Sequence, residues 1–307
     1  MDAEFKTTRR QAGFTAASIK KASGARRLTR KTTVGEAFQH FVATICVTLR
    51  RLEANAGAAD VETIHHFRTS IRRLRALLSA FEEILPGPER RKLSEHLSDL
   101  AQRYGTIREW DVFVATAAAP LAGTVPAPET FADVRRKALI EREAEREEHP
   151  RLGGDIAASI DAVAKAGWMR PSRSLGDERI DDRARKILTK QKRRLGRKIK
   201  GLDLADQTNL HTCRIMIKKH RYTIEFLSFL YEKKPVRAYL RRLATLQDIL
   251  GDMRDALVAR QLIQQLDISD SSRGLVLGWV AHTVADGMKQ APACGHRVRH
   301  TAAFWEK

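Results

Sequence analysis

IHHFRTSIRRLRALL, residues 64–78, and LHTCRIMIKKHRYTIEFL, residues 210–227, decide how this chain is read. At about 100° per helical residue, His65, Arg68, Arg72 and Arg75 of the first stretch fall within about 80° of one another. Ile64, Phe67, Ile71, Leu74, Leu78 and Phe81 form an apolar stripe on the other side. That stripe predicts an amphipathic helix burying Leu and Phe against its neighbours. The basic face needs a separate reason. Like charges one turn apart cost an exposed helix about 0.2–0.5 kcal/mol per pair, and no acidic residue within 64–78 relieves them. The pattern points to an anion supplied from outside the chain.

The second stretch repeats the first. His211, Arg214, Lys218, Lys219 and Arg221 follow His65, Arg68, Arg72, Arg73 and Arg75 at a constant shift of 146. The same shift carries Gly105 and Arg108 of YGTIREWD onto Gly251 and Arg254 of LGDMRDAL. At this composition, four basic positions led by a histidine arise by chance about once in 30,000 at a given offset. The chain is therefore read as a duplicated helical half, with its boundary near 170–178. Two such halves, packed about a pseudo-two-fold axis, would turn their equivalent faces toward one groove. A groove lined by that many cations repels itself unless a dense anion fills it. Arg suits phosphate through its planar fork and Lys as a point charge. Histidine in such a field is expected to stay neutral and donate one hydrogen bond.

Working outward, residues 1–32 hold nine Lys and Arg with no sustained apolar stripe, and are read as a mobile basic arm. From Thr33 onward the periodicity is helical. Helices are expected near 34–55, 60–85, 88–119, 129–148, 154–168, 179–201, 207–232, 235–266 and 272–291. The breaks carry Pro and Gly punctuation such as PGP at 86–88 and VPAP at 125–128. Strand alternation is absent, so the class is all-α: two pseudo-symmetric antiparallel bundles, about 33–169 and 178–307, around a basic central groove.

Composition narrows the partner. With 56 Lys and Arg against 37 Asp and Glu, the 307-residue chain carries a net charge of +19, which favours nucleic acid, a membrane surface or a phosphate polymer. Aromatic residues make up only 6%, so base-stacking platforms are poorly supported. Cys46, Cys213 and Cys294 are scattered, with no CxxC pair, as expected of reduced thiols in a cytoplasmic protein. No run of about 18 apolar residues predicts a membrane span, and the first residues lack a signal peptide's apolar core. No acid sits at ligand spacing beside either leading histidine, so no metal or other cofactor is expected. Arg108 and Arg254 each precede an acid, Glu109 and Asp255, and suit a helix salt bridge as well as a phosphate contact. Lys190, Arg194 and Arg197 share one polar side and would extend the groove.

At these residues the chain resembles the CHAD family, the conserved histidine α-helical domain. IHHFRTSIRRLRALLSAFEEIL and LHTCRIMIKKHRYTIEFL look like its two signature helices. GTIREWDVF, LQDILGDMRDALVARQL and the closing HTAAFW are similar to its other segments. The resemblance spans about 33–307. It implies two helical bundles around a basic cavity that binds inorganic polyphosphate, often at polyphosphate granules. It assigns the binding role to His65, Arg68, Arg72, Arg73, Arg75, His211, Arg214, Lys218, Lys219 and Arg221. His220 departs from the family pattern, standing where an aliphatic residue is usual and where the first copy has Leu74, and is left out of the site. The expected function is non-catalytic polyphosphate binding. The competing readings are sequence-independent nucleic-acid binding and a phosphohydrolase using His65 or His211 with Asp111 or Asp255. No metal-binding acid cluster or general acid lies within a turn of either histidine, which weighs against the second.

Overall fold

The structure is a computed structural model that describes residues 28–54, 60–85, 87–118, 128–148, 152–169 and 178–306. The described residues are helical throughout, apart from turns and one isolated bridge between Thr33 and Arg179. Among the described residues ten α-helices follow in chain order: α1 Val34–Ala54, α2 Val61–Ala80, α3 Gly87–Arg103, α4 Gly105–Phe113, α5 Pro128–Glu147, α6 Leu152–Lys165, α7 Ile180–Lys200, α8 Gln207–Leu227, α9 Lys233–Leu262 and α10 Asp270–Arg299. No helix among the described residues is long and apolar enough to cross a membrane.

The two basic stretches lie on α2 and α8, and each helix starts on an aspartate. Asp60 Oδ1 accepts from the Thr63 amide at 2.6 Å, and Asp206 Oδ1 accepts from Thr208 at 2.8 Å. A capping side chain satisfies one orphan amide and contributes about 1 kcal/mol. Asp60 and Asp206 are themselves 146 residues apart. So are the first residues of α1 and α7, of α2 and α8, and of α3 and α9.

One core joins α1, α2, α3, α6, α7 and α8 to the first half of α9 and the end of α10. A second holds α4, α5, the rest of α9 and the start of α10. α4 and α9 cross between the two: Ile107 and Met253 belong to the first, Trp110 and Ala256 to the second. Gly287 brings α10 against α9 so closely that a Cβ there would lie 2.2 Å from Met253 Cγ. α2 packs directly on α8 and α4 on α9, so the repeated segments face their counterparts. Cys46, Cys213 and Cys294 are buried free thiols.

Several expectations change. The helix expected over 88–119 breaks at Tyr104, whose buried ring sits edge-on to Phe67 and whose hydroxyl donates to Asp155 at 2.7 Å. Anchoring that side chain to α6 turns the backbone before α4 begins, and α4 runs into a π turn at Val114–Ala118. The final helix does not stop at Pro292 but continues to Arg299. Proline there deprives the Met288 carbonyl of its helical donor, and both residues are exposed, so water can take that place. α2 ends at Ala80 and α8 at Leu227, each followed by a tight turn. Residues 28–32, counted with the basic arm, belong to the body. Arg30 donates to the Leu230 carbonyl at 3.1 Å, and the Ile180 amide donates to the Thr32 carbonyl at 3.0 Å. The remainder of the arm, residues 1–27, lies outside the described residues, as does nearly all of the 170–178 boundary.

A candidate polyanion-binding site

Arg68 reaches from α2 to Gly105 at the start of α4, and Arg214 reaches from α8 to Gly251 and Asp255 of α9. His65 stands near Arg108, His211 near Arg254, and Arg72 near Arg214 and Lys218. Arg68 donates through Nη1 to the Ala101 carbonyl, which fixes its guanidinium against the end of α3. Arg72 folds back on its own helix, its Nε donating to the Arg68 carbonyl at 3.3 Å and its Nη2 to Thr69 Oγ1 at 3.2 Å. Arg214 reaches Asp255 at 3.5 Å. Gly105 and Gly251 give the two arginines room: a Cβ would stand 3.8 Å from Arg68 Nη1 and 3.5 Å from Arg214 Nη2. A methyl would fit; a longer side chain would cover the guanidinium.

Arg108 and Arg254 complete the cluster, and the two behave differently. Arg254 ignores its neighbour Asp255 and crosses to Glu109 of α4 at 2.6 Å, bridging the repeated segments. Arg108 stays loosely with Asp111 at 3.9 Å. Asp111 is buried, its carboxylate oxygens make no hydrogen bond, and burial raises its pKa.

The electrostatics reflect how close the faces of α2 and α8 come. Burial, then the charges of Arg214 and Arg72, push the Lys218 ammonium down to about 7. Burial and then Arg72 bring Arg68 down to about 10, with the α9 cation Arg254 also contributing. Burial lowers Arg214 as well, and although Asp255 opposes this, Arg254 and Arg72 add to it. His65 and His211 both fall below the usual imidazole range through burial, aided by Arg108 and Arg254 respectively. Cations from α2, α4, α8 and α9 therefore depress one another's protonation. The Nε atoms of Arg68 and Arg214 and Nδ1 of His65 are buried without any hydrogen-bond partner. A buried donor left unmade costs about 1–3 kcal/mol, and an anion lodged here would satisfy such groups.

The other four signature positions lie to the side. Arg75 and Lys219 influence each other near Asp99 and Arg90 of α3 and Glu82. Arg73 stacks over Phe226 at 5.2 Å and shares Glu225 with Arg221 at 3.9 Å. Of these, Arg73 ties α2 to α8 at the flank of the cluster. Lys190 is engaged by Glu83 at 2.9 Å and Glu82 at 3.3 Å, while Arg194 and Arg197 stand exposed on α7. α7 does not extend the cluster. Its Gln191 meets His220 and Thr223, which sit on the side of α8 turned away from Lys218. His66 pairs with Glu62 at 3.3 Å at the rim. Glu109 and Asp255, read from sequence as partners along their own helices and Asp255 also as an assisting acid in the phosphohydrolase reading, are the cluster's internal counter-charges. Their shared shift of 146 was the available signal. Among the described residues no group of three or more His, Cys, Asp or Glu could hold a metal.

His220 is a core residue. It is fully buried, donates from Nδ1 to Gln191 Oε1 at 3.0 Å and accepts at Nε2 from the Tyr239 hydroxyl at 3.2 Å. Gln191 can only accept through that oxygen, since its amide nitrogen donates to Thr223, and this sets the tautomer.

A profile of the CHAD domain matches residues 43–264, and the chain belongs to that family. Among solved structures it is similar to the CHAD domain from the plant Ricinus communis, with 26% identity and a TM-score of 0.74, covering 89% of this chain and 95% of that one. It also shares its fold with PptA from Streptomyces chartreusis at 17% identity and a TM-score of 0.63, covering 90% and 100%. No curated protein matches significantly.

Proposed function

We propose that this protein is a non-catalytic binding module for inorganic polyphosphate, held in the cation cluster between α2 and α8, and that its two halves are copies of one helical unit. The observation that carries the reading is the convergence of Arg68 and Arg72 of α2 with Arg214 and Lys218 of α8 beside Arg254, where burial first and then neighbouring cations of both stretches lower Lys218, Arg214 and Arg68. Cations held that close, with buried donors unmade, match a thin chain carrying a charge on every phosphate. A stiff duplex cannot enter between two packed helices. In the cell, such binding would place the protein at polyphosphate granules. Family membership supports the reading, and so do six converging Arg and Lys side chains.

Competition at physiological salt tests it. Polyphosphate should displace bound double-stranded DNA when phosphate units are matched, and equal competition would favour general cation binding instead. Arg72→Glu and Lys218→Glu should each weaken binding at least tenfold while helicity by circular dichroism is retained. With single-stranded nucleic acid as proxy and six phosphate contacts, the log–log salt slope should be about −4. Incubation with polyphosphate and Mg²⁺ should release no phosphate above background. Turnover lost in His65→Ala or His211→Ala would make the protein a phosphohydrolase.

A further inference from the structure

The second half of α7 presents a basic surface that the α2–α8 cluster does not use. At about 100° per residue, His220, which Gln191 of α7 contacts, lies about 160° round α8 from Lys218. The outer face of α7 is thus behind the cluster. There Lys192, Arg193, Arg197 and Lys200 of α7 meet Arg299 and His300 at the end of α10 across a groove of about 410 Å³. Among the described residues no acidic side chain lines it.

Earlier in the same helix three of the cations are neutralised: Arg183 holds Glu178 and Glu83, Lys186 holds Glu178, and Lys190 holds Glu82 and Glu83. Among the described residues, Arg193, Arg197, Lys200 and Arg299 meet no carboxylate. The helix dipole favours cations only within the last turn, and Arg193 lies a turn further in. Lys192 is fixed in place, donating to the Thr301 carbonyl at 2.8 Å with its ammonium 6.0 Å over Trp305. Gly196 forms part of the floor. A Cβ there would meet nothing within 4 Å, so packing does not call for glycine, although glycine costs a helix about 1 kcal/mol relative to alanine. What its bare backbone does is leave the groove open between the two pairs of cations. The stripe from Thr189 to Lys200 is about 16 Å long. Among the described residues no Phe, Tyr or Trp lines it, so a base could stack only on His300 or on a guanidinium plane, which favours a bare phosphate chain over nucleic acid.

We propose that this groove is a second binding site for linear polyphosphate, so that a long chain engages the protein at two places and a short one at either. The proposal rests on polyphosphate being the ligand. Two linked engagements raise avidity through effective concentration without any new contact.

Calorimetry on the full chain with tripolyphosphate and with a polyphosphate of over about a hundred units tests this. The wild type should take up two tripolyphosphates, and Arg193→Glu/Arg197→Glu only one, with the remaining affinity within twofold. For the long chain the double variant should lose about tenfold. Arg72→Glu/Lys218→Glu should retain one weaker tripolyphosphate site, which adding the α7 reversals removes. A single wild-type site, or long-chain affinity unchanged by the α7 reversals, overturns the second groove and leaves the first reading standing. Single-stranded DNA outcompeting polyphosphate on Arg72→Glu/Lys218→Glu makes the groove a nucleic-acid surface. No polyphosphate binding by the wild type overturns the proposed function itself.

Discussion

Lys218 and His220 stand two residues apart on α8, and their opposite surroundings give them opposite pH behaviour. Lys218 sits near half-protonation at neutral pH, held down to about 7 by burial and by neighbouring cations. A bound polyanion reverses that field and raises the pKa, so binding takes up a proton. Affinity should therefore rise as pH falls through 7 and flatten once the amine is charged. Titrations in buffers of different ionisation enthalpy will report the uptake. Lys218→Arg should keep binding and remove most of the uptake around pH 7, because arginine stays charged. His220 is pushed down to about 3 by burial, with Lys192 adding to it. An imidazole whose folded pKa is depressed favours the folded state fully above its ordinary value of 6.5. That stability is lost as pH falls, at about 1.4 kcal/mol per unit, until the folded pKa is passed. His220→Leu leaves Gln191 Oε1 and the Tyr239 hydroxyl unpaired and should cost about 1–3 kcal/mol at pH 7. It should also flatten the fall in stability between pH 6.5 and 3 in denaturant melts, while polyphosphate affinity stays unchanged.

Among the helices, α10 shows which glycines the packing uses. Gly287 lets α10 approach Met253 of α9, whereas a Cβ at Gly274 or Gly278 would meet nothing within 4 Å. Gly287→Ala forces the Met253 side chain to move and should destabilise by about 1–3 kcal/mol. Gly278→Ala only removes a helix penalty and should stabilise by up to about 1 kcal/mol. Thermal melts that shift in opposite directions would bear this out; equal shifts would mean that α9 and α10 are less closely apposed. The break at Tyr104 belongs to the same scale. Nothing in 88–119 announces it, because the partner that holds the tyrosine, Asp155, lies 51 residues further on.

For the molecule as a whole, the test is where the basic arm ends. Removing residues 1–27 should leave the melting temperature unchanged and polyphosphate affinity within a few-fold, since basic charges outside the α2–α8 cluster add only screened attraction. Removing residues 1–32 also takes away the bond from Arg30 to Leu230 and the pairing of Thr32 with Ile180, which tie the segment before α1 to the turn after α8 and to the start of α7. That truncation should lower the melting temperature measurably. Equal melting of the two truncations would show that residues 28–32 are not part of the body.

The sequence by itself determined the helical class, most helix positions and the two basic faces. Each is written locally: an apolar stripe at a 3.6-residue period, Pro and Gly punctuation, and a histidine leading four cations. The shift of 146 also pairs Gly105 with Gly251 and Glu109 with Asp255 before any fold is known. Periodicity says which side of a helix is basic but not what that side meets. Only the tertiary structure decided that Arg254 crosses to Glu109, that Arg73 stacks on Phe226 instead of joining the cluster, and that α7 turns Arg197 toward Arg299. It alone made a core residue of His220 by bringing Gln191 and Tyr239 to its two nitrogens. Such outcomes depend on helices dozens of residues apart, and a side chain's partner and charge are set by the element that packs against it.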